Sequence, residues 1–193
     1  MSRARVAVMA LAAAAGFAAG CGTTPDSTFY TLNTEAGAEN AGKSTISIVV
    51  GPVTVPEAVD RPQLVISATG NRVRIEEFHR WAEPLKAEIP RVIAAQLGRD
   101  LGTSRTAAFS DVALADPDFR VLIDIQRFES QRGGNATVDA LWTVRTREGK
   151  SVTGRTIARE SAADSYESLV AAHRRALATV SRAIAAAIQS MQH

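Results

Sequence analysis

The chain has 193 residues with 22 basic and 20 acidic side chains; the two surplus positive charges are Arg3 and Arg5, so residues 21–193 carry 20 of each sign and offer no case for nucleic acid as a partner. A single cysteine excludes an intrachain disulfide, and the fold must rest on its core. The length suits one well-buried domain and is too short for two large ones.

Arg3 and Arg5 precede an apolar run over residues 6–17 that is too short to cross a bilayer as a helix. Ala18, Ala19, Gly20 and Cys21 follow, the order in which a bacterial lipoprotein signal ends, although Ala18 stands where Leu is commoner. Small residues fit the signal peptidase, and the cysteine thiol takes a diacylglyceryl group before cleavage. Residues 1–20 therefore read as the signal peptide and Cys21 as the lipidated mature N-terminus, with no thiolate left for a metal. The alternative is an ordinary Ala-x-Ala secretory signal with Cys21 as an odd free thiol. Each buried methylene contributes about 0.8 kcal/mol, enough for several acyl chains to hold a protein on a membrane permanently. Gly22 occupies the place where Asp would retain a lipoprotein at the inner membrane. The expected location is thus the outer membrane, facing the periplasm.

Residues 21–43 read as the lipidated N-terminus and a polar tether, interrupted by Phe29-Tyr30-Thr31-Leu32 as a candidate first strand, and residues 44–193 as the domain. Residues 46–55 have strand composition around Gly51-Pro52. Pro56 and Pro62 bracket an irregular stretch; Leu64-Val65-Ile66 and Val73-Arg74-Ile75 then flank Gly70-Asn71, which predicts a tight hairpin. Pro84 suits a helix's first turn, and Leu85, Ile89, Val92, Ile93 and Leu97 recur at helical spacing up to Gly102. Pro90 inside that pattern predicts a kink or a fresh start. Residues 119–126, 136–146 and 152–160 predict a strand meander, turning between the last two at Glu148-Gly149-Lys150. Asp164 or Ser165 caps a long closing helix, with Leu169, His173, Leu177, Val180, Ile184 and Ile188 on one stripe. Such an order predicts a mixed α/β domain in which helices cover a central sheet.

Two runs go beyond generic pattern. One is Pro56-Glu57-Ala58-Val59-Asp60-Arg61-Pro62-Gln63-Leu64-Val65, with Asn71 a few residues on; the other is Phe78-His79-Arg80-Trp81-Ala82-Glu83-Pro84-Leu85, and Tyr30-Thr31-Leu32 stands near the cysteine. Together they resemble the PqiC/YmbA-type family of ABC-transport auxiliary lipoproteins over nearly the whole mature chain. Val59 replaces the usual Leu, and Pro90 falls in what is normally an unbroken helix. The resemblance implies a single three-layer α/β/α domain around a mixed sheet, similar to anticodon-binding domains, with no catalysis and no cofactor. It also implies an outer-membrane lipoprotein that receives the end of an MCE-type lipid transport bridge. The partners would be an MCE-domain periplasmic protein and inner-membrane transport components. A homo-oligomeric ring is expected, because such tunnels are built from several subunits around an axis.

The runs make physical sense as an interaction surface. Pro56 and Pro62 restrict the intervening loop and lower the entropy lost on binding. Arg61 and Gln63 offer preset donors, and Arg80 and Trp81 are residue types enriched at binding hot spots. Asp60, Arg61, Gln63, Arg80 and Trp81 are the partner-binding candidates, and Arg61→Ala or Trp81→Ala is expected to leave the fold intact while weakening capture. The structural reading stays open beside it: Asp60 pairs with Arg61 or Arg80 to fix the loop, and Trp81 packs under the helix.

Hydrolase chemistry finds no support, because neither Gly-x-Ser-x-Gly nor Ser-x-x-Lys occurs. His173, on the apolar stripe, reads as a satisfied, partly buried side chain; His79 reads as a hydrogen-bonding residue of the motif loop. A periplasmic adaptor that binds peptidoglycan or another envelope protein is the alternative function. A large lipid cavity is disfavoured, since the apolar residues are used by the sheet and helices.

Overall fold

The computed structural model describes residues 25–32, 44–109 and 116–192. Cys21 and the segment read as a signal peptide lie outside the described residues, as does most of the segment read as a tether. Ten elements follow in chain order: β1 (Thr28–Tyr30), β2 (Ile48–Thr54), β3 (Gln63–Ser67), β4 (Val73–Trp81), α1 (Leu85–Leu101), β5 (Thr106–Ala108), β6 (Phe119–Ser130), β7 (Asn135–Thr146), β8 (Ser151–Ser161) and α2 (Tyr166–Met191). No described helix is long and apolar enough to cross a membrane.

The α/β class, the mixed strand pairing and the long closing helix are all present. In detail the strands form two sheets, where the sequence pattern suggests one. The larger has the order β5-β2-β6-β7-β8 and the smaller β1-β4-β3. In the larger, β2 runs parallel to both β5 and β6, while β6, β7 and β8 form the expected antiparallel meander. In the smaller, β1 is parallel and β3 antiparallel to β4. The helices pack on one another, α1 over β2 and β5 and α2 over β7 and β8, so both cover the same face of the larger sheet; β3 meets β6 at its side.

Alternation explains the core. Val121, Ile123 and Ile125 of β6, with Val138, Ala140, Trp142 and Val144 of β7, point under the helices and are buried. Leu169, His173, Leu177, Val180, Ile184 and Ile188 of α2 meet them, as the stripe predicts. Each fully buried Leu or Ile contributes about 1.5–3 kcal/mol. Gly154 of β8 lies across from Trp142, and a Cβ there would come 2.3 Å from the indole, so the ring needs that glycine.

The helix ends follow local chemistry. Ser165, not Asp164, caps α2, its side chain accepting from the Ser168 amide. Gly102 closes α1 in the left-handed conformation, its amide donating to the Gly98 carbonyl. Pro90 is buried within α1, which continues through it as one element of 17 residues. Its ring removes a single backbone bond, and its apolar face is used by the core.

Three boundaries differ from the sequence pattern. β4 continues beyond Ile75 to Trp81, so most of the second motif run is strand. The Gly70-Asn71 turn is as expected, with Gly70 at a φ of 73°. β6 runs to Ser130, past a register shift between Ile125 and Arg127. Finally, the candidate first strand at 29–32 is present as β1, shifted to Thr28–Tyr30, and it carries this part of the tether into the core: Tyr30 and Leu32 are buried and β1 joins the small sheet.

Candidate docking site

The two motif runs meet at the C-terminal end of β4. Residues 56–60 fold into a turn in which the Pro56 carbonyl accepts from the amides of Val59 (3.0 Å) and Asp60 (3.2 Å). The Trp81 amide donates to the Pro62 carbonyl, and the Ala82 amide to the Tyr30 carbonyl, each at 2.7 Å. These bonds stitch the loop and β1 to β4 on either side. Asp60 is paired with neither Arg61 nor Arg80: its carboxylate accepts from Lys86 Nζ at 2.5 Å, on the first turn of α1. Glu83 pairs likewise with Arg91 at 2.5 Å.

Register decides which motif side chains face solvent. Phe29 and Gln63 both lie opposite Arg80, so the three share the outer face of the small sheet. Tyr30 and Trp81 lie opposite each other on the inner face. Trp81 is only 5% exposed, edge-on to Phe128 at 6.0 Å and to His173 at 6.4 Å. Of the two readings open for Trp81, the packed one is the one the structure has: strand alternation sends the ring into the core, so Trp81→Ala is a core deletion and not a change that leaves the fold intact.

The loop, the β4–α1 turn and β1 enclose an open cavity of about 340 Å³. Phe29, Pro62 and Pro84 give it apolar walls, Trp81 reaches it from beneath, and Asp60, Glu83, Arg61 and Arg80, two charges of each sign, stand around it. Phe29 is 62% exposed although fully aromatic. The Arg80 Nε donates to the Glu77 carbonyl at 2.8 Å. Gln63 does not line the cavity; its Nε2 donates to Glu77 Oε2 at 3.3 Å, beside it. Arg61 is exposed and, among the described residues, its guanidinium makes no hydrogen bond or ion pair. With Asp60 and Glu83 already paired to Lys86 and Arg91, the guanidinium groups of Arg61 and Arg80 are what this apolar hollow offers to a side chain with an acidic neighbour.

Several supporting residues escape a sequence reading. The Glu88 carboxylate is buried and accepts from the Leu32 amide at 3.2 Å and from Thr31 Oγ1 at 2.5 Å, tying the chain after β1 to α1. Burial pushes this carboxyl above its ordinary range. The signal was its position on the apolar stripe, one turn after Leu85. His79 belongs to β4, not to a loop; its Nδ1 meets the Tyr30 hydroxyl at 2.9 Å and its ring stacks on Tyr166 at 3.7 Å. His173 is wholly buried, with Nε2 on Ser130 Oγ at 2.8 Å and its ring stacked on Phe128 at 3.9 Å. Burial lowers its pKa to about 3, so it is neutral. Asp139, also buried, accepts from Arg155 at 2.7 Å and Arg127 at 3.3 Å, which hold it below the usual carboxylate range. Among the described residues, no group of three His, Cys, Asp or Glu side chains is placed to hold a metal.

A mixed α/β domain with an open apolar hollow rimmed by charges of both signs has the make-up of a binding module. The chain belongs to the family of the ABC-type transport auxiliary lipoprotein component, whose model matches residues 30–185, the family that the two motif runs resemble. Membership makes it a lipoprotein of the cell envelope and an auxiliary part of an ABC transport system. The fold is similar to the crystal structure of an uncharacterized protein, at 18% identity and a TM-score of 0.69, covering 85% of this chain and 99% of that one. It is similar also to a protein from Xanthomonas campestris, at 17% identity and a TM-score of 0.63, covering 86% and 100%. No curated protein matches the chain.

Proposed function

We propose that this protein is a non-catalytic lipoprotein, anchored through acylated Cys21 in the outer membrane and facing the periplasm, that docks the far end of an MCE-type lipid transport bridge. The observation that carries the reading is the meeting of Asp60, Arg61, Arg80 and Trp81, four residues of the two motif runs, around one open apolar cavity. Lys86 holds Asp60 and the Glu77 carbonyl holds Arg80, so the site is largely formed before a partner arrives, which lowers the entropy lost on docking. Trp81 serves from below, as the floor that keeps the loop and β4 in place. A homo-oligomeric ring would repeat the site around an axis, matching a tunnel made of several subunits.

A photocrosslinking residue at position 61 tests the reading in cells. It should trap an MCE-domain protein whose gene lies beside this one; a trap that yields only peptidoglycan or unrelated envelope proteins would contradict it.

A further inference from the structure

The small sheet has two ends, and the direction of β1 distinguishes them. β1 runs parallel to β4 with Thr28 opposite His79, so the chain upstream of Thr28 arrives from the Val73 end. Cys21 precedes Thr28 by seven positions, a reach of at most about 24 Å. Val73 lies opposite Ser67 and Arg80 opposite Gln63, four residues apart on β3, so the hairpin is about 13 Å from the Arg80 end of β4. An anchor at Cys21 thus holds the domain close to the bilayer, approaching from the β3–β4 hairpin.

That hairpin has the surface to match. Val73 is 61% and Ile75 40% exposed. Ile75 lies opposite Val65 and Val73 opposite Ser67, which places both on the outer face with Phe29. Residues 67–74 include Arg72 and Arg74 and no acidic residue. Behind the turn, Arg74 and Arg132 line a polar cavity of about 370 Å³, but Glu76 and Asp164 already pair with them. The free charge of the tip is that of Arg72, whose Nε donates only to the Thr69 carbonyl at 3.3 Å. Exposed aliphatic side chains beside an unpaired arginine suit the boundary between acyl chains and phosphate headgroups.

We propose that the β3–β4 hairpin rests on the lipid surface that carries the anchor, with Val73 and Ile75 at the acyl boundary and Arg72 among the phosphates. The docking cavity, beside Arg80 at the other end of the small sheet about 13 Å away, then faces off the membrane toward a partner crossing the periplasm. This orientation rests on the reading of Cys21 as acylated.

Because Cys21 is the only cysteine and acylation consumes its thiol, an introduced cysteine is the one free thiol of the mature protein. Asn71→Cys and Val73→Cys at the hairpin, and Glu57→Cys in the cavity loop, would each carry an environment-sensitive dye. The full lipoprotein is reconstituted into vesicles of phosphatidylethanolamine and phosphatidylglycerol containing acyl-brominated lipid. Quenching should be several-fold stronger at positions 71 and 73 than at 57. Equal quenching, stronger quenching at 57, or none at any position on vesicles that retain the protein would overturn the orientation alone. Wild-type protein that takes up dye at Cys21, or washes off the vesicles, would overturn the anchor and this orientation with it.

Discussion

The two faces of β4 touch different things although their residues alternate along one strand. On the inner face, Trp81 is enclosed by Phe128 and His173, and His79 by Tyr30 and Tyr166. On the outer face, Arg80 lies beside Phe29 and Gln63, at the edge of an open cavity. Adjacent motif residues therefore divide the labour: one side packs the strand into the core, the other faces the cavity from that packed support. A run such as Arg80-Trp81 reads as one functional unit in sequence, and period-two geometry splits it.

The comparison breaks most visibly at the inner face. Trp81→Ala should cost about 3–5 kcal/mol, because a core ring is deleted and its cavity closes only in part. Denaturant midpoints would show it, and a loss below about 1 kcal/mol would mean that Trp81 belongs to the surface after all.

Acid offers the next lever. Folding keeps His173 neutral, its pKa lowered from 6.5 to about 3 by burial. For a depressed pKa the stabilising contribution is full above the unfolded value and is lost as pH falls toward the folded one. Between pH 7.5 and pH 5 the loss from this group should be about 2 kcal/mol. His173→Leu, whatever its own midpoint, should show a flatter acid limb over that window in pH-dependent denaturation.

The outer face should respond weakly in stability. Lys86→Ala removes the exposed pair with Asp60 and should cost less than about 1 kcal/mol. Its effect should appear instead in partner capture, since the Asp60 loop loses its tie to α1. Arg61→Glu should change stability by no more than about 0.5 kcal/mol, because the guanidinium makes no contact among the described residues.

Much of this arrangement was legible in the sequence where periodicity is strong. The α2 stripe, the β6–β8 meander and the Gly70-Asn71 hairpin are all where the pattern places them. Asp60, Arg61 and Arg80, from the two motif runs, gather at one cavity. What was hidden depends on pairing between distant segments. Charged Glu76 and Glu77 interrupt the apolar alternation of β4, and its register against β3 shifts between Gln63 and Leu64, so its length and faces emerge only from the sheet. Tyr30 and Leu32 sit amid polar residues, yet β1 is held by β4 and by Glu88. Glu88 falls on the apolar stripe of α1, but the groups it binds, Thr31 and the Leu32 amide, come from a distant segment. The division into two sheets likewise follows from β1 joining β4, a parallel pairing that no local signal announces.

The central claim is that the cavity at the end of β4 receives the MCE-type partner through the charges on its rim. Its most direct measurement is the affinity of the purified mature protein for that partner, compared with the folded double variant Arg61→Glu/Arg80→Glu at matched melting temperature. The account predicts at least about a tenfold loss of affinity, on the order of 1.4 kcal/mol. Unchanged affinity in a variant that melts like the wild type would contradict it.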